Sequence, residues 1–90
     1  MNAIRRKKLH AINSVLDELR SALEELKDDL SSTMDEEQEY FDNIPENLQS
    51  SDRYSTSENA VEKLTEATDS LEEIISNLED VYSSIEEATE

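Results

Sequence analysis

Leu9, Ile12, Leu16, Leu19, Leu23, Leu26 and Leu30 recur at alternating steps of three and four residues. That spacing puts all of them on one stripe of an α-helix, the a and d positions of a heptad repeat. Val15 and Ala22 lie beside the stripe and widen it. Past Leu30 the pattern jumps four residues to Met34, then reaches Phe41, Ile44 and Leu48, a stutter that locally unwinds a supercoil. Glu37 falls on the stripe itself, within the acidic run Asp35-Glu36-Glu37-Gln38-Glu39, so the pattern is weakest here. Pro45 drives the residue before it out of the helical region, which predicts a first helix over about 3–43.

A connection over about 44–54 follows, with room for one helical turn. Ser55-Thr56-Ser57-Glu58 then fits a capping box, in which the Ser hydroxyl and Glu carboxylate each take a free amide. The second helix, over about 55–89, keeps strict heptads. One row is Tyr54, Val61, Thr68, Ile75 and Tyr82, and the next is Ser57, Leu64, Leu71, Leu78 and Ile85. Ala60, Ala67, Ile74, Val81 and Ala88 form a third. Three apolar rows in seven describe a helix packed by more than one neighbour.

Folding the halves together pairs Leu16 with Tyr82, Leu19 with Leu78, Leu23 with Ile75, Leu26 with Leu71, Leu30 with Thr68 and Met34 with Leu64. The predicted fold is all-α: one domain over 1–90, an antiparallel hairpin of two long, coiled-coil-like helices. A core this small is marginal by itself. The extra row therefore predicts a second surface, a homodimer forming a four-helix bundle or a partner protein, with Val15, Ala22, Ala60, Ala67, Ile74 and Val81 as the self-association stripe.

Charge narrows the partners. Residues 9–90 hold all 24 acids against Arg20, Lys27, Arg53 and Lys63, a balance of −20, while Arg5-Arg6-Lys7-Lys8 is basic. Nucleic acid and anionic lipid would be repelled by such a body, so no direct nucleic-acid or membrane partner is expected. The hairpin would set Arg5–Lys8 beside Glu86, Glu87 and Glu90, where each cluster sits at the unfavourable end of its helix dipole and neutralises the other. Asp17, Glu24 and Asp28 on the first helix, with Glu66, Asp69, Glu73, Asp80 and Glu87 on the second, are the candidate acidic binding face. The absence of cysteine removes disulfides and thiolate metal sites. No run is apolar enough to span a bilayer and no h-region follows the basic start, so a soluble cytoplasmic protein is expected.

Catalysis finds little support. His10, the only histidine, has Arg6, Lys7, Asn13 and Ser14 at helical contact spacing and no carboxylate there. Carboxylate pairs such as Glu24-Glu25, Glu72-Glu73 and Glu79-Asp80 fall between seam positions and read as a solvated face. An inward Glu-x-x-His motif is missing, and with no Gly there is neither an EF-hand turn nor a phosphate loop. The chain is read as a non-enzyme without cofactor, metal or catalytic residues. Tyr40, Phe41, Ile44, Leu48 and Tyr54 gather at the tip, either as a small satellite core or as a contact patch.

The segment Asp35-Glu36-Glu37-Gln38-Glu39-Tyr40-Phe41-Asp42-Asn43-Ile44-Pro45-Glu46-Asn47-Leu48-Gln49-Ser50 resembles one found in small acidic proteins encoded by phages and mobile elements of Gram-positive bacteria. In these a basic helical start, an acid-rich run, a Pro-Glu-Asn-Leu-Gln tip and a Leu/Ile/Glu-rich second helix recur in this order. The resemblance implies a hairpin fold and a genetic context, not a chemistry. Two functions are expected from these readings. One is an inhibitor that binds a host protein by imitating nucleic acid, its acidic rows occupying a basic groove; the other is a self-associating scaffold or adaptor bundle.

Overall fold

Asn2 opens the first helix: its side-chain oxygen accepts the Arg5 amide at 2.8 Å, leaving one fewer free N–H at the helix start. In a computed structural model describing residues 1–90, this helix, α1, runs Ala3–Asp42 and ends at Asn43, two residues before Pro45. Glu46–Leu48 form a single 3-10 turn in the connection. The second helix, α2, runs Asp52–Ala88 and is capped by Ser51, whose hydroxyl accepts the Tyr54 amide at 3.3 Å. The restart thus comes four residues before the expected cap at Ser55. Ser51 offers the same hydroxyl acceptor, and Asp52 places a carboxylate in the first turn where the helix dipole favours it. The early start also carries Tyr54 into helix, where its ring packs on Phe41 with centroids 4.8 Å apart.

The two helices pack against each other as a hairpin 70 × 15 × 14 Å. Five side-chain contacts tie them along most of that length. Arg6 Nε donates to the Thr89 carbonyl (3.0 Å), Asn13 Nδ2 to the Tyr82 carbonyl (3.1 Å), and Ser57 Oγ to Glu37 Oε1 (2.9 Å). Arg20 stands 3.8 Å from Glu79, and Thr65 Oγ1 lies 3.2 Å from Met34 Sδ. The paired residue numbers add up to between 94 and 99, the constancy that an antiparallel pair requires.

The contact line on α1 is not the leucine stripe as a whole. Leu9, Leu16, Leu23 and Leu30 are half-buried, but the row that joins them in the seam is Arg6, Asn13, Arg20, Lys27 and Met34. Ile12, Leu19 and Leu26 are lifted out, between 46% and 56% exposed, so the expected pairs Leu19–Leu78 and Leu26–Leu71 do not form the interior. Three of these polar seam residues reach across to the second half of the chain: Arg6 and Asn13 donate to the Thr89 and Tyr82 carbonyls, and Arg20 meets Glu79, while Lys27 is half-buried beside them. On α2 the two inner rows are the expected ones, Tyr54 to Tyr82 and Ser57 to Ile85, each half-buried or buried.

The interior that results is thin. Ile44 and Ile75 are the only buried apolar residues, and no side chain is fully enclosed. Asn13, Ser57, Thr68 and Thr89 complete the buried set. Glu37, the carboxylate on the stripe, is half-buried and accepts the Ser57 hydroxyl, so the weak point of the pattern is answered from across the seam.

Candidate interaction surfaces

Each helix carries a row one step to the same hand of its contact line. On α1 this row is Ile12, Leu19 and Leu26, and on α2 it is Ala60, Ala67, Ile74, Val81 and Ala88. Because the helices run antiparallel, rows of the same hand emerge on the same side of the hairpin. Ile12, Leu19, Leu26, Ile74 and Val81 are all exposed large apolar residues, and Val15 adds to them one row further out. Levels along the rod interleave, with Leu19 falling between Ile74 and Val81. Of the six stripe residues expected from sequence, Val15, Ala22, Ala67, Ile74 and Val81 are exposed and Ala60 is half-buried. Sequence reasoning missed Ile12, Leu19 and Leu26 for this side, since it had spent them on the internal seam.

The other side of the hairpin is acidic. It brings Asp17 and Glu24 of α1 together with Glu72, Glu79 and Glu86 of α2. Arg20 bridges the two helices here, 2.9 Å from Asp17 and 3.8 Å from Glu79. Leu16, Arg20, Leu78 and Tyr82 floor an open cleft of about 470 Å³ at this point, rimmed by Asp17, Glu79, Ser83 and Glu86. The eight acids singled out from sequence are all exposed but do not share one plane. Asp28 and Asp69 stand a row further out than the flank, and Glu66, Glu73, Asp80 and Glu87 line the back of α2, away from α1. Apart from Arg20's two partners, only Glu66 enters an ion pair, with Lys63 at 3.3 Å. No three His, Asp or Glu side chains converge closely enough to hold a metal ion.

At the tip, the aromatic cluster divides. Ile44 is buried, Phe41 and Tyr54 are half-buried with their rings packed at a tilt, and Tyr40 and Leu48 remain exposed. Arg53 lies over the Tyr40 ring, 5.0 Å from its centroid, and its Nε donates to the Tyr40 hydroxyl. A satellite core closes the turn here, and only Tyr40 and Leu48 of the five candidates are presented outward. At the opposite end, the basic cluster closes the hairpin through Arg6 and the carbonyl of Thr89, the residue that caps α2, instead of through carboxylates. Arg5, Lys7 and Lys8 are exposed and form no ion pair.

No known family, curated protein or solved structure matches this chain. Its surfaces therefore carry the functional argument. Neither helix is long and apolar enough to cross a membrane.

Proposed function

We propose that the chain is a non-enzymatic protein-binding module whose acidic side and back engage a basic surface of another protein. The observation that carries this reading is the number of free carboxylates: of 24 acids, only Asp17, Glu66 and Glu79 meet a cation. The chain assembles negative charge on a stiff rod and leaves it for something else to neutralise. A balance of −20 over residues 9–90 along 70 Å is about one charge per 3.5 Å, close to the spacing on one strand of DNA. A groove built to grip a phosphate backbone is the kind of site such a rod fits, and its field would speed the encounter. With the resemblance of Asp35–Ser50 to acidic proteins of phages and mobile elements, the specific reading is an inhibitor of a host nucleic-acid-binding or defence protein, acting inside the bacterial cell.

The test is affinity capture from a Gram-positive lysate on immobilised wild-type chain, beside a variant with Glu72, Glu73, Glu79 and Asp80 all changed to Lys. The wild type is expected to retain a nucleic-acid-binding protein that elutes steeply with salt and that added DNA displaces. The variant is expected to retain none of it. A captured protein held equally by both, or held regardless of salt, would sink the electrostatic reading.

A further inference from the structure

We infer that a second copy of this chain covers the apolar side, lying antiparallel on the first about a two-fold axis beside Leu19 and Asn77. Charge first identifies the occupant. Residues 52–90 contain twelve acids, yet two adjacent rows of α2 contain none: Arg53, Ala60, Ala67, Ile74, Val81, Ala88 and Thr56, Lys63, Ser70, Asn77, Ser84. The facing rows of α1 are free of acid from Arg5 through Leu26 and from Lys8 through Ala22, the second row then ending in a single acid, Asp29. A basic partner would seek the other side of the rod. Another body of charge −16 can approach closely only where both surfaces lack carboxylates, and a second copy is such a body.

The pattern along the rows then fixes the orientation. One row of α1 reads Lys8, Val15, Ala22, Asp29: cation, apolar, apolar, anion. Laid antiparallel on itself, it sets Lys8 against the partner's Asp29 and Val15 against the partner's Ala22. The same operation puts Leu19 on its own copy and Ile12 on the partner's Leu26. On α2 it places Ile74 on the partner's Val81, Ala67 on the partner's Ala88, and Asn77 on itself. The centre of the α1 pairs, at Leu19, and that of the α2 pairs, beside Asn77, stand at one level of the rod. Their numbers fit the antiparallel spacing that the Arg6–Thr89 and Met34–Thr65 contacts already set. One axis thus satisfies four rows, the self-complementarity an isologous interface needs. From Arg5 to Asp29 the face is about 36 Å long at 1.5 Å per residue. Across a rod 15 Å wide this covers roughly 500 Å² on each copy, and the two together reach about the lower bound for a specific interface. This inference is independent of the acidic side and stands or falls separately.

The chain has no cysteine, so a single introduced thiol reports on its own neighbourhood. Leu19→Cys sits on the proposed axis and Glu24→Cys on the acidic side, both at exposed positions that leave the hairpin seam alone. Scattering behind a sizing column should give twice the 10.3 kDa of one chain at micromolar concentration. Under mild oxidation Leu19→Cys should convert to a covalent dimer at least about tenfold faster than Glu24→Cys. Lys8→Glu and Asp29→Lys should each weaken the dimer roughly three- to tenfold, and together restore it, because the swapped charges still meet. A single-chain mass at all concentrations tested, or Leu19→Cys cross-linking no faster than Glu24→Cys, overturns the second copy. A dimer in which the double swap is weaker than either single change overturns the antiparallel axis.

Discussion

The two long sides of the hairpin are built on the same two helices, yet they differ in almost every respect. One side presents Ile12, Leu19, Leu26, Ile74 and Val81, exposed, with a single acid, Asp29, at its edge; the other presents Asp17, Glu24, Glu72, Glu79 and Glu86 around Arg20. A hairpin that needed only to stay folded and dissolved would gain nothing by sorting its residues this way. Scattered apolar residues are ordinary on a surface, whereas a contiguous stripe of them marks a contact. The apolar residues that could thicken the interior stand together on one face instead. Two buried apolar residues make a thin core, and the largest apolar side chains lie outside it.

The largest effect is expected from breaking the asymmetry directly. Ile74→Glu with Val81→Glu would give the apolar side carboxylates in the middle of its α2 rows, near the proposed axis. Two buried, unpaired charges at each of the related positions should raise the dimer dissociation constant by more than about 100-fold, leaving single-chain mass in light scattering. Helicity by circular dichroism should persist at low temperature, since neither residue lies in the hairpin seam. Glu72→Lys with Glu79→Lys on the acidic side should leave the mass doubled. If the acidic-side pair dissociates the dimer and the apolar-side pair does not, the roles assigned to the two sides are reversed.

A smaller effect sharpens the contrast between inside and outside. Ile44, 4% exposed, is the most buried apolar residue, although it sits in the connection. Ile44→Ala should cost about 2–4 kcal/mol, as large-to-small changes at enclosed sites do. Ile4→Ala, at an apolar residue 70% exposed, should change stability by less than about 0.5 kcal/mol. Urea unfolding at one fixed protein concentration separates them. Equal losses would mean that the tip is not a core.

Much of this arrangement was legible in the chain. The two helices and the break at Pro45 follow from periodicity and from the proline's steric demand, and both inner rows of α2 were read correctly. Of the third apolar row on α2, expected to pack against a second surface, Ala67, Ile74, Val81 and Ala88 are exposed in the hairpin and Ala60 is half-buried. What periodicity did not settle was which pair of rows on α1 turns inward. Leu9 to Leu30 belongs to the seam under either choice, and its companion could be the aliphatic row of Ile12 or the polar row of Asn13. Hydrophobicity alone favours Ile12. Cross-helix bonds from Arg6, Asn13 and Arg20 favour the polar row, and those depend on carbonyls and carboxylates that only the folded partner brings within reach. The restart of α2 at Asp52 lies close to the expected start near 55: Ser51 and Ser55 read alike as caps, and in the structure it is Ser51 that accepts the Tyr54 amide. The acidic face was found as composition but not as a surface, because Glu72, Glu79 and Glu86 join Asp17 and Glu24 only once the α1 seam is known.

Asn13 is the finest test of that choice of seam. Its Nδ2 donates to the Tyr82 carbonyl at 3.1 Å, while its Oδ1 is buried without a hydrogen-bond partner. A buried polar residue at an inner heptad position commonly fixes register at a cost in stability. Asn13→Leu removes the unpaired acceptor and puts an apolar side chain beside Leu9 and Leu16 in the seam, so it should stabilise the hairpin by about 1 kcal/mol. For a chain of this length that is a rise in Tm of roughly 4–8 °C. Asn13→Asp, nearly the same in volume, replaces the donating amide with a carboxylate that faces the Tyr82 carbonyl. It should destabilise by about 2 kcal/mol or more at neutral pH. Were Asn13 on the outside and Ile12 on the inside, both changes would be nearly silent. Opposite signs at one position, measured by thermal melts at matched concentration, are what the polar seam requires.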